Sequence, residues 1–359
     1  MRRIRLVLWG VLVGAFACGL SSIRAAVATA TFDEIGYISE LAQTPFNTSP
    51  TIVQTVDGLL AAWIGSSSPD SLDACVYLSR NTKGMWERGE KVVESIDPKT
   101  LIQSACERPV LFKPTNGSLL LFYKVRDARA RRQGMLVQSA DNGQTWTKPK
   151  KLPRLIGGPA RTKPVEISPG VLLMGADSHE AGWVVHVEQA SAFRSGWGWR
   201  RTRKLSSAIL HNAKAPALLN HGNGDIQAIC PTKRGYLVES WSSDAGETWE
   251  PFARTPMPNP DSGIDVVKRD SGEFIMVYPH SNRERGVLHL ASTENGRLWS
   301  ALGVIEHRPG RVFSDPSMII GTDGNLHVVY AEDSRLIKHV TLDPDRLESV
   351  PMVGGNWPF

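Results

Sequence analysis

The sequence predicts an all-β fold, a six-bladed β-propeller of four-stranded blades, on the strength of three regularly spaced series of residues. Trp86, Trp146, Trp199, Trp249 and Trp299 lie 60, 53, 50 and 50 residues apart, the spacing of a structural repeat. Gly58, Gly117, Gly170, Gly224, Gly272 and Gly324 each precede a short apolar run, so the unit occurs six times. Pro50, Pro109, Pro216 and Pro316 stand eight residues before their glycines, Pro164 stands six before its own, and Ile264 takes the place in the fifth copy.

Each unit therefore reads as a strand after the proline, a glycine turn, a second strand, a third strand and a fourth beyond the tryptophan. The second strands are expected at residues 59–63, 118–123, 171–174, 226–229, 274–278 and 326–330. The third strand ends in Ser-x-Asp/Glu-x-Gly-x-x-Trp, seen at residues 139–146, 242–249 and 292–299, with weaker copies ending at Trp86 and Trp199. A short sheet of this kind buries its two faces only against neighbouring copies, and closing the circle covers both. Helical patterning is almost absent, and a β-sandwich gives no reason for tryptophans locked to a period.

The 359 residues, 41% hydrophobic and 21% charged with 32 Gly and 23 Pro, exclude a disordered or fibrous chain. The apolar run at residues 6–20 follows Arg2, Arg3 and Arg5 and precedes Ala26-Val27-Ala28, the order of a secretory signal peptide. The expected organisation is a leader at 1–28 and a propeller at 29–359, exported to a periplasm or secreted, monomeric, with no membrane insertion of the mature chain. Four arginines fall in the leader, which leaves 37 basic residues against 36 acidic ones. That balance gives no reason to expect a nucleic-acid partner, and the basic stretch at 124–132 reads as a solvated loop. Cys75, Cys106 and Cys230 lack zinc-site spacing; a bridge between Cys75 and Cys106 and buried free thiols both remain open. No phosphate-binding glycine loop or calcium loop occurs, so neither a cofactor nor a metal is expected.

The Ser-x-Asp-x-Gly-x-x-Trp turns resemble the Asp boxes of the sialidase-like, BNR-repeat propellers. Residues 256–265, 158–164 and 337–340 are similar to the exo-alpha-sialidase-type members of that family. The resemblance implies the six-bladed fold and a glycosidase acting on a glycan. Sialidases of this fold hold the substrate carboxylate with three arginines, the first before the first strand. Here the matching stretch is Asn47-Thr48-Ser49-Pro50, and the fourth blade has Ile229-Cys230-Pro231-Thr232 where relatives carry another arginine. A non-catalytic carbohydrate-binding or assembly propeller is therefore the second expectation beside the hydrolase.

Asp141 and Asp244 read as turn formers, their carboxylates accepting backbone N–H groups while glycine supplies the positive φ. The chemistry is expected on the opposite face. In a four-stranded blade the first and third turns share one rim. The other rim gathers the residues before each first strand and after each second strand, the former nearest the axis. Those positions carry Arg108, Arg161, Lys163, Lys214, Asp315, Lys124, Glu180, His280 and Arg285. So many cations suit an anionic ligand, because guanidinium and ammonium groups bind carboxylate or sulfate through charge-assisted bonds. A ring of mutual salt bridges is the other arrangement these charges allow. Arg108, Lys124, Arg161, Lys163, Lys214, Asp265, His280 and Arg285 are the candidate binding residues for an acidic sugar. Glycosidic cleavage uses paired carboxyls, for which Glu180 and Asp315 are the candidates, and Tyr278 or Tyr330 is the candidate nucleophile that the resemblance implies.

Overall fold

Alternation along the strands gives each sheet two apolar faces, and the chain buries both by stacking six antiparallel sheets around an axis. The structure, a computed structural model, describes residues 34–39, 44–96, 103–179, 182–202, 204–205 and 210–358. The expected leader, Cys18 and Glu180 lie outside them.

From the axis outward, blade 1 comprises Phe46–Thr55, Gly58–Ser66, Cys75–Thr82 and Met85–Trp86. The principal strands of blade 2 are Gln103–Phe112, Leu119–Arg126, Arg132–Ser139 and Lys150–Lys151. Blade 3 is Val165–Ser168, Val171–His179, Trp183–Phe193 and Gly196–Arg201. Blade 4 is Ala217–Gly222, Asp225–Pro231, Tyr236–Ser242 and Ala253–Pro258. Blade 5 is Asp265–Lys268, Phe274–Tyr278, Val287–Thr293 and Ser300–His307, edged by Val350–Pro351.

Blade 6 has Phe313–Ile320, Leu326–Glu332 and Leu336–Leu342, and its outer strand is Glu34–Tyr37 from the start of the described chain. Glu34 pairs with Thr341 and Tyr37 with Lys338, so the ring closes by joining the two ends of the chain. This closure explains the count of six glycine turns but five tryptophans. The sixth blade borrows its outer strand and has no third turn of the same type.

The core lies between blades. In blade 5, Met276 and Tyr278 pack against Leu219 and Ile229 of blade 4, while Ile275 and Val277 face Met318 and Val328 of blade 6. Each tryptophan of the series packs into the interface its blade makes with the preceding one, Trp146 beside Leu60 and Val76, Trp249 beside Leu173 and Val187. The two complete Asp boxes behave as turns. Asp141 accepts from the Thr145 N–H at 2.9 Å and Asp244 from the Thr248 N–H at 2.8 Å. Gly143 and Gly246, at φ 90° and 89°, rest against Leu60 and Leu173 of the preceding blade, where a Cβ would lie 2.8 Å from a leucine methyl. In the third copy Asn295, not Glu294, accepts the turn N–H groups of Arg297 and Leu298. Asn142 donates to Asp57 in the glycine turn of blade 1 at 3.1 Å, which puts both turn types on one rim. Cys75, Cys106 and Cys230 are buried free thiols.

Candidate functional site

The sequence X-Pro at the start of the first strand shapes the opposite face. Proline removes a ladder donor and restricts the residue before it. In four blades that preceding residue adopts left-handed backbone: Ser49 at φ 52°, Arg108 at 50°, Ala215 at 45° and Asp315 at 56°. The ladder slips beside three of them, between Thr48 and Thr51, Glu107 and Val110, and Ser314 and Ser317. Such bulges re-aim a side chain out of the ladder. A left-handed non-glycine residue costs about 1–3 kcal/mol, and repetition of that strain at equivalent blade positions is the pattern found at functional sites.

Around the axis a cavity of about 210 Å³ is lined by Arg108, Arg161, Lys214, Ala215, Pro231, Asp261, Ser262, Gly263, Arg285, Ser314 and Asp315. Four cations thus share the wall with two carboxylates. Arg161 contacts Asp315, and Lys214 Nζ lies 2.8 Å from Asp261. Ser49 of blade 1 donates to Asp315 at 3.2 Å, and Arg285 donates to the Pro260 carbonyl at 3.3 Å. Gly263 leaves room for this packing, since a Cβ there would meet Arg161 Cδ at 3.2 Å and Asp315 Cα at 3.4 Å.

Behind Arg108, the buried Asp177 carboxylate accepts two bonds from the guanidinium at 2.8 and 3.0 Å and one from the Ala215 N–H at 3.0 Å. Burial pushes the Asp177 carboxyl up, but Arg108 and Lys124 outweigh it and hold it well below the usual carboxylate range. Burial pushes the Arg161 guanidinium down, and Arg108 pushes it further. It lowers Lys214 as well, against the opposing pull of Asp261. Cations destabilised by burial and by one another favour an incoming anion.

Five of the expected site residues, Arg108, Arg161, Lys214, Arg285 and Asp315, meet in this cavity. Lys163, just before the inner strand of blade 3, and the buried Asp265 tie three blades together. Lys163 Nζ bonds Asp265 of blade 5 at 3.1 Å, and Ser317 Oγ and the Met318 carbonyl of blade 6 at 2.6 and 3.0 Å. Lys124 lies beneath a neighbouring cleft, 3.6 Å from Asp177. Tyr278 is enclosed between blades 4 and 5, its hydroxyl 2.5 Å from His280 Nδ1 and close to the sulfurs of Met257 and Met352. It shares no wall with the axial cavity, and neither does His280, which lies against Tyr278 and Trp357. Tyr330 is fully buried between blades 5 and 6, donating to Glu306 at 2.7 Å.

Asp261 and Asp177 are the consequential acids that the candidate set from sequence leaves out. Asp261 stands on the predicted ring, in the fifth copy, which lacks the proline marker. Asp177 meets Arg108 from 69 positions away, and no local pattern announces that pairing.

The BNR repeat-like domain matches residues 57–328. Comparison with the curated proteins finds no match. Among solved structures the chain is similar to the NanB sialidase of Streptococcus pneumoniae, at 10% identity and a TM-score of 0.68, over 88% of this chain and 71% of that one. A protein of unknown function from Dyadobacter fermentans aligns at 12% identity and a TM-score of 0.70, over 87% of this chain and 99% of that one. Trypanosoma rangeli sialidase, solved with 2,3-difluorosialic acid, aligns at 17% identity and a TM-score of 0.62, over 83% of this chain and 54% of its own. These identities speak for the fold, and the domain match covers most of the sequence. The chain belongs to the BNR repeat-like family, folded as a sialidase-like six-bladed propeller.

Proposed function

We propose that this chain is an exported, glycoside-hydrolase-like propeller whose axial pocket takes the anionic group of a terminal acidic sugar. One observation carries the reading: Arg108, Arg161, Lys214 and Arg285 converge on a small cavity that contains two carboxylates, Asp261 and Asp315. At about 210 Å³ the cavity falls below the ~300–1,000 Å³ of sites for drug-sized ligands, which suits one sugar ring or its charged end. In this reading Arg161 and Lys214 bind the sugar's carboxylate or sulfate, and Arg108 is steadied by Asp177. Asp315, paired with Arg161, is then a carboxyl beside the bound group, with Glu180 as the second carboxyl that glycosidic cleavage requires. The basic, apolar and small-residue order at the N-terminus supports export.

A non-catalytic, glycan-binding propeller is the second reading. It is favoured by the enclosure of Tyr278 and Tyr330 between blades and by the ion pairs that occupy both pocket carboxylates. The test is a panel of fluorogenic glycosides of sialic and uronic acids, with calorimetric binding of the free sugars in parallel. Release that is lost in Asp315→Ala and Glu180→Ala supports the hydrolase. Binding without release, lost in Arg161→Ala, supports the second reading. A folded protein that neither binds nor cleaves any acidic sugar contradicts both.

A further inference from the structure

We propose that the cleft between blades 2 and 3 is a second subsite, binding the sugars that follow the terminal one in a polyanionic, uronate- and sulfate-bearing oligosaccharide. The proposal rests on the axial pocket taking the terminal sugar and names the class of glycan to which that sugar belongs.

The cleft is about 640 Å³, three times the axial cavity and within the ~300–1,000 Å³ of ligand sites. The two spaces are linked through one residue. Asp177 lines the cleft, and its carboxylate holds Arg108 and the Ala215 N–H of the axial pocket. The cleft therefore adjoins the axial pocket across the buried Asp177 carboxylate.

The charge of the cleft selects the continuation. Six cations line it, Lys124, Arg131, Arg132, Lys151, Arg154 and Arg201, of which Arg131 and Arg132 pair with Asp127 and Glu107 outside the lining; the lining's own carboxylates are Asp177 and Glu188. Both carboxylates are already engaged. Asp177 serves Arg108 and Lys124. Glu188, fully buried, accepts the Gly157 and Gly158 N–H groups at 2.9 and 2.8 Å and lies 2.9 Å from His186 Nε2. Lys151 and Arg154 are exposed, and among the described residues neither meets a carboxylate. Their charge faces the cleft without an internal counterpart.

The remaining walls suit a sugar better than a simple ion. Trp183 offers an aromatic surface, positioned by the Arg108 guanidinium 4.9 Å from its ring and by His179 edge-on at 5.1 Å. Sugar rings stack on such surfaces through their apolar C–H faces. Phosphodiester chains would answer the charge alone.

The test is calorimetric titration of the full folded chain with a chondroitin sulfate tetrasaccharide, a neutral tetrasaccharide and a short single-stranded oligonucleotide. The sulfated glycan is expected to bind, with affinity falling as salt rises, and to outcompete both others. Lys151→Ala with Arg154→Ala, two surface changes that leave the blade cores intact, should weaken it about tenfold. No binding of the sulfated glycan, binding indifferent to the double variant, or equal affinity for the oligonucleotide would overturn the subsite. Arg161→Ala separates the two readings. If it leaves glycan affinity unchanged while the double variant weakens it, the axial reading fails and the cleft stands; if it alone weakens binding, the cleft fails and the axial reading stands.

Discussion

The two rims of this propeller use the same residue type in opposite ways. On the turn rim, Asp141 and Asp244 recur with the repeat, are exposed, and bond to groups four positions ahead. Hydrogen bonds from Thr145 and Thr248 lower both carboxyls to about 2. On the pocket face, Asp177, Asp261, Asp265 and Asp315 meet cations 47 to 154 positions away. A carboxylate of the turn rim bonds within its own turn, whereas those of the pocket face pair with cations carried by other blades.

Breaking the pocket face should have the larger effect. Asp177→Ala strands the buried Lys124 and the half-buried Arg108, and is expected to cost about 3 kcal/mol in denaturant unfolding. A loss no larger than that of a surface substitution would mean that the buried network contributes nothing. Because the folded Asp177 carboxyl is depressed, its contribution is complete above the unfolded pKa, about 4, and is lost as pH falls below that.

Histidines between the blades make a second acid response, which begins at higher pH. Burial lowers His280 to about 4 and His289 and His339 to about 3. Between about 6.5 and 4 the unfolded chain binds protons that the folded chain refuses, so stability should fall across that window as pH drops. Replacing His289 by Gln should flatten the upper part of the slope in unfolding measured at stepped pH, and an unchanged slope would remove the histidines from the account.

The turn rim should respond less. Asp244→Ala removes three local hydrogen bonds and is expected to lower the melting temperature by about 2–4 °C, with glycan binding unchanged. Loss of binding in that variant would blur the contrast between rims. Smallest of all is the response of the thiols. Burial pushes the Cys106 thiol up to about 12 and holds the Cys230 thiol well above the usual thiol range, so both should resist alkylation in the native protein and react once it unfolds.

Much of the fold was legible because a propeller writes its period into glycine, proline and tryptophan. The pocket face was legible for a related reason: chain topology brings each residue before a first-strand proline near the axis. The closing strand at Glu34–Tyr37 was not, because four residues carry no period and their partner lies about 300 positions away. Tyr278 was placed at the right end of its strand, but the alternation of side chains turns it, with Phe274 and Met276, toward blade 4. Asp177 and the cleft beside it arise from contacts between blades, which no single repeat encodes.

The most direct test of the central claim is the affinity of the folded chain for a panel of acidic monosaccharides, set beside that of Arg161→Ala with its fold verified. The account predicts that at least one carboxylate- or sulfate-bearing sugar binds, and that the variant loses about thirtyfold or more, as expected for a partly buried charge contact. Binding that is indifferent to Arg161, or no acidic sugar bound by the intact protein, would contradict it.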